Sequence, residues 1–421
     1  METRLAAFIK DTPEGQEAES ILRKCVHCGF CTATCPTYQL LGDELDGPRG
    51  RIYLIKQVLE GTAATAKTQL HLDRCLTCRA CETTCPSGVH YSRLLDIGRG
   101  VVEQQVGRGS ADALQRAALR KVIPHASVFG ALLKVGQIAR PLLPAALKQK
   151  VPASAMPAKP WPQNNHARKM LVLEGCAQPS LSPATNAAAA RVLDRLGITL
   201  VRAEGSPGAG CCGAVAFHLN AQDEALAAMR RNIDAWWPHI NASEQRAERI
   251  VITASGCGVM VQDYAHALAR DAAYAEKAKR VSELACDISD VIAAERPQLK
   301  SLNTQHSTLN PRRIAFHAPC TLQHGLKKKG TVETLLTQLG FELTPVADAH
   351  LCCGSAGTYS ILQPALSKRL RANKIAALEA GAPVEIVTAN IGCQTHLQSA
   401  SQLRVRHWIE LVDEQLTPGA R

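Results

Sequence analysis

Apolar residues recur three and four positions apart in two segments near the start of the chain, which is the spacing of one face of an α-helix. The first segment holds Ile52, Ile55, Val58 and Leu59, and it ends at Gly61. The second segment holds Leu94, Leu95, Ile97, Val101 and Val102. We therefore expect residues 1–149 to form a helical domain, followed by a polar, Pro-rich linker over residues 150–169.

The stretch from Val122 to Lys148 is apolar with interspersed lysine and arginine. Pro141 and Pro144 would break a helix here, so the pattern favours a core-packing helix over one that lies on a membrane surface. No window of about 18 or more apolar residues is present to span a bilayer. The charged first 20 residues do not resemble a secretory signal.

From residue 170 onward, short apolar runs alternate with helical patterns, and the whole order occurs twice. One copy begins KMLVLEGC and ends RIVITASGC, and the other begins RIAFHAPC and ends VEIVTANIGC. Strands that alternate with helices are typical of α/β units with a largely parallel sheet. The sequence therefore predicts two repeated α/β lobes, residues 170–300 and 301–421, after the helical domain.

Amino-acid composition narrows the range of functions that this chain could have. The chain has 421 residues, 46 % of them hydrophobic, which is typical of a globular protein with more than one domain. Aromatic residues make up only 4 %, which argues against nucleic acid as a partner, and the net charge of +11 is spread over a long chain. An odd number of cysteines, 17, without an export signal points to metal ligation or redox chemistry rather than to disulfides.

The first eight cysteines form two copies of the motif C-x2-C-x2-C-x3-C-P. In two-cluster ferredoxins the fourth cysteine of each motif binds the other cluster. This rule predicts a first cluster site of Cys25, Cys28, Cys31 and Cys85, and a second cluster site of Cys75, Cys78, Cys81 and Cys35. Zinc sites are the alternative, but they ordinarily use separated C-x2-C pairs. We expect two 4Fe–4S clusters that conduct electrons rather than catalyse, because every ligand position is filled.

Residues 208–213 read GAGCCG, which matches the G-x-G-x-x-G pattern of dinucleotide-binding loops. The second copy reads AHLCCGSAG at the same place, so Cys-Cys-Gly is shared while Gly208 and Gly210 are not. No acidic residue ends a second strand at the distance that ribose binding requires. We therefore expect the paired cysteines, and not the glycines, to carry the function.

Each copy holds four cysteines in matching order. The first CCG site is Cys176, Cys211, Cys212 and Cys257, and the second CCG site is Cys320, Cys352, Cys353 and Cys393. Because they follow predicted strands, we expect each set to meet at the carboxyl ends of one sheet and to hold metal there. Buried structural thiols are the alternative. The alternative is preferred for Cys286, which has no counterpart, and no role is assigned to His218, His317 or His396.

Two ferredoxin-type motifs followed by two CCG repeats resemble the iron–sulfur subunits of glycolate oxidases over nearly the whole chain. Three segments have sequences similar to those of that family: CVHCGFCTATCPTYQLLGDELDGPRGRI, CLTCRACETTCPSGVHY and LEGCAQPSLSPATNAAAARVLDRLGI. The resemblance implies a multidomain α and α/β fold, in which a helical two-cluster ferredoxin domain precedes two α/β CCG lobes.

The resemblance also implies a complex in which FAD-containing subunits oxidise glycolate to glyoxylate and this chain passes electrons toward the quinone pool. It implies a cytoplasmic location, peripheral on the cytoplasmic face of the inner membrane. The sequence itself shows no flavin or nicotinamide loop, nucleophile elbow or paired-carboxylate signature. We therefore expect FAD and substrate chemistry on partner subunits, and we assign no catalytic residue in this chain.

More distant relatives with CCG repeats leave alternatives open. They are subunits of lactate and glycerol 3-phosphate dehydrogenases and of heterodisulfide reductases. In the disulfide-reducing relatives each repeat ends in C-x-x-C, which gives five sulfurs to a non-cubane cluster. Here Ala254 and Asn390 take the place of the first of those cysteines. We therefore expect one or two four-sulfur clusters at the CCG sites, or sites that have lost their metal, and a disulfide-splitting centre is the less favoured alternative.

Overall fold

The computed structural model describes residues 1–144, 148, 151–152, 155, 157–203, 208–242, 244–303 and 312–417. Residues 13–142 are helical, as the apolar spacing predicts. The helices are α1 Pro13–Lys24, α2 Phe30–Ala33, α3 Pro36–Leu41, α4 Pro48–Leu59, α5 Ala66–Asp73, α6 Ala80–Thr84, α7 Tyr91–Val106, α8 Ser110–Val122 and α9 Ala126–Ala139, with short 3-10 turns at Glu44–Asp46 and Arg140–Leu142.

The two periodic segments become α4 and α7, which pack against each other. Ile55, Leu94 and Leu95 are fully buried between them. A Cβ at Gly98 would lie 2.6 Å from Ile55 Cγ1, so the bare backbone of α7 lets the two helices approach closely. This packing forms the core beneath both cysteine motifs.

The prediction that residues 122–148 form a core-packing helix is wrong. Helix α9 has no fully buried residue, and a stripe along it stands 44 % to 89 % exposed: Val128, Leu132, Val135, Ile138 and Leu142. The helix is mainly apolar, and it packs against the helix α10 at Gln178–Leu181. The predicted break is present as the turn at Arg140–Leu142, whereas residues 145–147 lie outside the described residues.

No single helix in the described ranges is long and apolar enough to cross a membrane. Helices α8 and α9, continued to Leu142, reach that length and composition together, but they meet at an angle of 108°.

The first lobe contains strands β1 Arg168–Val172, β2 Ile198–Arg202, β3 Ile250–Ile252 and β4 Ala285–Asp287. Its helices are α10, α11 Pro183–Arg195, α12 Ala214–His218, α13 Gln222–Ile240, α14 Ser255–Gln262, α15 Tyr264–Ala267, α16 Ala275–Leu284, α17 Ile288–Ala294 and α18 Arg296–Asn303. The strands are parallel in the order β2-β1-β3-β4, with Leu171 paired to Ile250. The linker prediction for 150–169 falls partly outside the described residues.

The second lobe repeats this order. Its strands are β5 Arg313–His317, β6 Glu342–Leu343, β7 Glu385–Thr388 and β8 Val405–His407, parallel in the order β6-β5-β7-β8. Its helices are α19 Thr331–Gln338, α20 Tyr359–Leu362, α21 Pro364–Glu379, α22 Ile391–Gln398 and α23 Trp408–Gln415, with a π-helical turn at Thr321–Gly325. The predicted fold class, a helical ferredoxin-type domain followed by two repeated α/β lobes, is confirmed.

The two lobes share one core. Buried residues of both, including Met170, Leu193, Phe316 and Trp408, belong to a single apolar cluster. Helix α11 packs on α23, where Arg191 and Arg195 both bind the carboxylate of Asp413 at 2.6 and 3.1 Å. Cys286 is buried in β4 within this core, as expected of a structural thiol, and burial raises its pKa to about 12.

Candidate functional site

The two ferredoxin-type loops share one backbone shape. His27 and Gly29 in the first loop, and Thr77 and Arg79 in the second, have φ values between 53° and 85°. Left-handed residues at these two places curl the chain around its first three cysteines. Three of the four are not glycine, so the fold holds them in a conformation that costs about 1–2 kcal/mol per residue. Arg79 is held by Asp263 of the first lobe at 2.6 Å.

The first cluster site lies in a cavity of about 440 Å³ whose lining includes all four of its cysteines: Cys25, Cys28, Cys31 and Cys85. Cys28 is exposed, and its neighbours Val26 and Phe30 are 68 % and 60 % exposed. Burial raises the pKa of Cys31 to about 11. One end of the ferredoxin domain therefore presents sulfur and apolar surface to solvent.

The second cluster site is deeper. A cavity of about 360 Å³ is lined by its four cysteines, Cys35, Cys75, Cys78 and Cys81. Two buried guanidiniums lie beside it: Arg99 donates to the carbonyl of Cys75 at 2.9 Å, and Arg51 lines the same cavity. Asp46, which is fully buried, binds Arg51 at 3.4 Å and Arg74 at 2.8 Å.

Both sites fit 4Fe–4S clusters. The structure brings each predicted set of four sulfurs to its own cavity, including the crossed pairs that place Cys85 with the first motif and Cys35 with the second. Backbone N–H groups approach the sulfurs, as where Thr77 donates to Cys75 Sγ at 3.4 Å. Such bonds and the nearby cations adjust reduction potentials. Four thiolates and amide donors are the environment that a cubane cluster requires.

Strand order explains where the CCG cysteines lie. In a sheet ordered β2-β1-β3-β4, the connection from β1 leads to one side of the sheet and the connection from β2 leads back to the other side, so the strand order switches between β1 and β3. Ligands of parallel α/β sheets bind at the carboxyl ends of the strands at such a switch point. Cys176 follows β1, the pair Cys211–Cys212 follows β2, and Cys257 follows β3 at the first turn of α14. The second lobe repeats this placement, so each predicted set of four is brought together.

The first CCG site is partly open. Cys211 and Cys212 are buried, whereas Cys176 and Cys257 are half-buried. Hydrogen bonds from the thiols of Cys176 and Cys212 lower the pKa of Cys211. Gly213 donates its N–H to Cys211 Sγ at 3.5 Å from a left-handed conformation with φ of 92°.

The second CCG site is closed, and all four of its cysteines are buried. Cys320 Sγ lies 3.8 Å from Cys352 Sγ, and Cys353 contacts both Cys352 and Cys393. Gly354 donates to Cys352 Sγ at 3.4 Å with φ of 87°. A Cβ there would lie 2.6 Å from the carbonyl of Ser367, so only glycine fits after the paired cysteines.

The second CCG site lies beside the second cluster site. Cys320 and Cys352 share an apolar cluster with Leu76 and Tyr359, and Cys78 packs against it. Tyr359 donates its hydroxyl to the carbonyl of Arg74 at 3.2 Å. Cysteines of the ferredoxin domain and of the second lobe therefore adjoin one apolar cluster.

Ala254 and Asn390 occupy the positions where disulfide-reducing relatives have a fifth cysteine. Ala254 is buried at the start of α14, while Asn390 donates its amide to Cys393 Sγ at 3.5 Å. Asn390 thus acts as a hydrogen-bond donor to sulfur. In GAGCCG, Gly210 donates its N–H to Asn232 at 2.8 Å, and the helix that follows, α12, has only five residues.

The sequence interpretation gave no role to three histidines, and one of them belongs to the second CCG site. His317 ends β5 and lies with Cys353 and Cys393, their ligand atoms within 4.8 Å of one another. Burial lowers the pKa of His317 to about 3, so the ring is neutral. A comparison of the two repeats could have singled out His317, because Leu173 occupies the equivalent position in the first copy. His218 is exposed, and His396 contacts Ser367 Oγ at 3.2 Å.

Comparison with known proteins agrees with this layout. Residues 21–89 match the 4Fe-4S dicluster domain, and residues 170–262 and 314–398 match the cysteine-rich domain. The chain is 58 % identical to the glycolate oxidase iron-sulfur subunit of Escherichia coli (strain K12) over 416 residues, which is 99 % of each chain. The chain belongs to the glycolate oxidase iron–sulfur subunit family.

Other members and relatives are more distant from this chain. The probable glycolate oxidase iron-sulfur subunit of Bacillus subtilis (strain 168) is 28 % identical over 403 residues, covering 89 % of this chain and 88 % of that one. Lactate utilization protein A of Bacillus licheniformis is 28 % identical over 207 residues, or 49 % of this chain and 80 % of that one. The two glycolate oxidase iron–sulfur subunits therefore match 99 % and 89 % of this chain, as the sequence resemblance predicted.

Proposed function

We propose that this chain is the flavin-free electron relay of a glycolate-oxidising complex, with two 4Fe–4S clusters in the ferredoxin domain and one iron–sulfur cluster at each CCG site. FAD and the oxidation of glycolate to glyoxylate belong to partner subunits, and the electrons leave toward quinone. The clusters would supply single-electron transfer, while the chain's own residues hold them, exclude water and set their spacing.

The observation that carries the proposal is the continuity of sulfur ligands. Cys81 lines the cavities of both ferredoxin sites. Cys78 of the second cluster site packs against the apolar cluster that contains Cys320 and Cys352. A protein that used these cysteines only for structure would have no need to bring three sulfur sets into one row.

The exposed end of the relay supports a site for the flavin partner. Val26, Phe30 and Tyr53 are 68 %, 60 % and 48 % exposed around the first cluster site. Exposed apolar groups beside a redox centre are suited to a partner that must bring its own cofactor close.

Reduction by substrate tests the relay. Glycolate added anaerobically to the isolated chain should leave the visible cluster absorption unchanged, and adding the flavin subunits should bleach it. The double substitution V26E/F30E should slow bleaching at least tenfold, while V384E, which changes a valine of similar exposure in the second lobe, should not. Bleaching of the isolated chain by glycolate would refute the proposal.

For location, we propose that the chain is cytoplasmic and peripheral on the cytoplasmic face of the inner membrane. The exposed apolar stripe of α9 supports this, as does its charge: no Asp or Glu occurs between Asp112 and Glu174, whereas Lys134 and Arg140 lie in this segment. A basic apolar helix binds anionic lipid surfaces. Flotation with phosphatidylglycerol vesicles should recover the complex, and L132E/I138E should abolish recovery; equal flotation of this variant would count against the proposal.

A further inference from the structure

His317 is a deeply buried histidine at the second CCG site. Its side chain is 1 % exposed, and its Nε2 atom has no hydrogen-bond partner among the residues that the structure describes. An unpaired buried polar atom costs about 1–3 kcal/mol. A nitrogen at this depth therefore calls for a partner that the described polypeptide does not provide.

The position of the ring identifies the kind of partner. One imidazole nitrogen lies within 4.8 Å of both Cys353 Sγ and Cys393 Sγ. Through Cys353 and Cys352 these atoms adjoin Cys320, whose Sγ is 3.8 Å from Cys352 Sγ. The nitrogen is thus part of a closed group of five donor atoms, four sulfurs and one nitrogen.

We propose that His317 is the fifth ligand of an iron–sulfur cluster at the second CCG site, binding iron through an imidazole nitrogen beside the four cysteine sulfurs. This rests on the proposed function, which assigns iron to that site. Histidine binds iron in some iron–sulfur centres, where the neutral ring replaces a thiolate and raises the reduction potential.

The number of donors favours a cluster over a single metal ion. A structural zinc ion takes four ligands in a tetrahedron, and five donors exceed that number. Neighbouring residues Cys352 and Cys353 both face the site, which suits several metal atoms better than one. Contact with Cys78 of the second cluster site gives an iron cluster there an electron donor.

The first lobe provides an internal control. Leu173, which is 2 % exposed, stands three residues before Cys176, as His317 stands three residues before Cys320. The first CCG site therefore offers sulfur donors alone at these positions. The substitution H317L gives the second lobe the residue that the first lobe already buries at this place.

Pulsed EPR on the full chain tests the ligand directly. The protein is purified anaerobically from cells fed histidine with ¹⁵N-labelled rings, reduced with dithionite, and compared with unlabelled protein. Wild type and H396L, a control that removes another histidine of the same lobe, should show strong coupling to a ring nitrogen. H317L should lose the coupling.

The outcomes separate the two proposals. Iron and zinc are counted in wild type and in C352S/C353S. If the cysteine variant loses iron but wild type shows no ring coupling, or if H317L retains it, the ligand assignment is wrong while the relay stands. If the variant loses no iron, or loses one zinc instead, both fail for this site. Should H317L not fold, the wild-type coupling still decides, because it requires no substitution.

Discussion

The two CCG lobes share one strand order but keep their cysteines in different surroundings. In the first lobe Cys176 and Cys257 reach solvent, Leu173 lies behind them, and no ferredoxin cysteine packs against the site in the described structure. In the second lobe all four cysteines are buried, His317 joins them, and Cys78 lies alongside. The same scaffold therefore carries one open site and one that continues the ferredoxin relay.

The lobes also dock on the ferredoxin domain by different means. The first lobe uses polar pairs: Asp263 with Arg79 at 2.6 Å, His266 with Glu17 at 3.0 Å, and Asn220 with Glu103. The second lobe uses the apolar cluster around Leu76 and Tyr359, with hydrogen bonds such as that between Thr83 Oγ1 and His324 Nδ1 at 3.0 Å. Ion pairs tolerate solvent, whereas an apolar contact excludes it. The apolar contact lies where Cys78 of the ferredoxin domain is close to the cysteines of the second CCG site.

The largest expected difference comes from removing paired cysteines. C211S/C212S and C352S/C353S should each lose about four irons per chain, because one cluster is lost in each. Only C352S/C353S should also sharpen the EPR signal of the second ferredoxin cluster, since a neighbouring spin is removed. Iron and sulfide analysis with EPR of the reduced protein measures both effects. Identical EPR changes in the two variants would break the comparison.

Replacing the glycine after each pair of cysteines with alanine should destabilise the two lobes to different extents. A Cβ at Gly354 would lie 2.6 Å from a carbonyl oxygen, against 3.0 Å at Gly213. Both residues have positive φ, so G354A should lower the free energy of unfolding by about 3 kcal/mol and G213A by about 1–2 kcal/mol. Denaturant unfolding of the two variants gives the order. A reversed order would mean that the first lobe is the more tightly packed.

Equivalent residues of the two lobes should give opposite pH effects. Asp287 and His407 each end the fourth strand and begin the next helix of their lobe. Burial raises the pKa of Asp287 to about 6 and lowers that of His407 to about 4.

Asp287 therefore keeps its proton in the folded state while the unfolded chain releases it, so stability declines as pH rises from about 4 to 6. His407 resists protonation when folded, so its contribution is lost as pH falls from about 6.5 to 4. D287N should remove the first slope and H407Q the second, each about 3 kcal/mol in unfolding free energy across its window. Unfolding measured from pH 4 to 7.5 should show unchanged slopes if these groups do not titrate as described.

The smallest effect is expected from salt. D263N should weaken the docking of the first lobe by about 1 kcal/mol, and added salt should reduce that difference, because Arg79 and Asp263 are partly exposed. Y359F removes one hydrogen bond to Arg74, and its cost of about 1 kcal/mol should be independent of salt. Thermal melts at low and high salt compare the two. Equal salt dependence would contradict the assignment of polar and apolar docking.

Local patterns predicted the parts of the molecule that depend on nearby residues. Helical spacing at Ile52–Leu59 and alternating strands and helices after residue 170 sufficed for the fold class. The repeat comparison singled out Cys-Cys-Gly, and the positive φ of Gly213 and Gly354 gives the physical reason.

What the sequence did not predict depends on tertiary contacts. Nothing in the spacing indicates that Cys78 meets Cys352, because 274 residues separate them in the numbering. The role of His317 was missed because an isolated histidine is usually structural. The core prediction for α9 was wrong because an apolar pattern shows that a surface avoids water and does not show what covers it.

The single core shared by the lobes bears on how the chain can be divided. In a fragment ending at residue 303, the part of the shared core that contains Leu193 would lose Trp408. Arg191 and Arg195 would lose their ion pairs with Asp413. Such a half-molecule should aggregate or pair with a second half to cover that face. The duplicated lobes are therefore best regarded as one cooperative folding unit, whose loss of structure on heating should occur in a single transition.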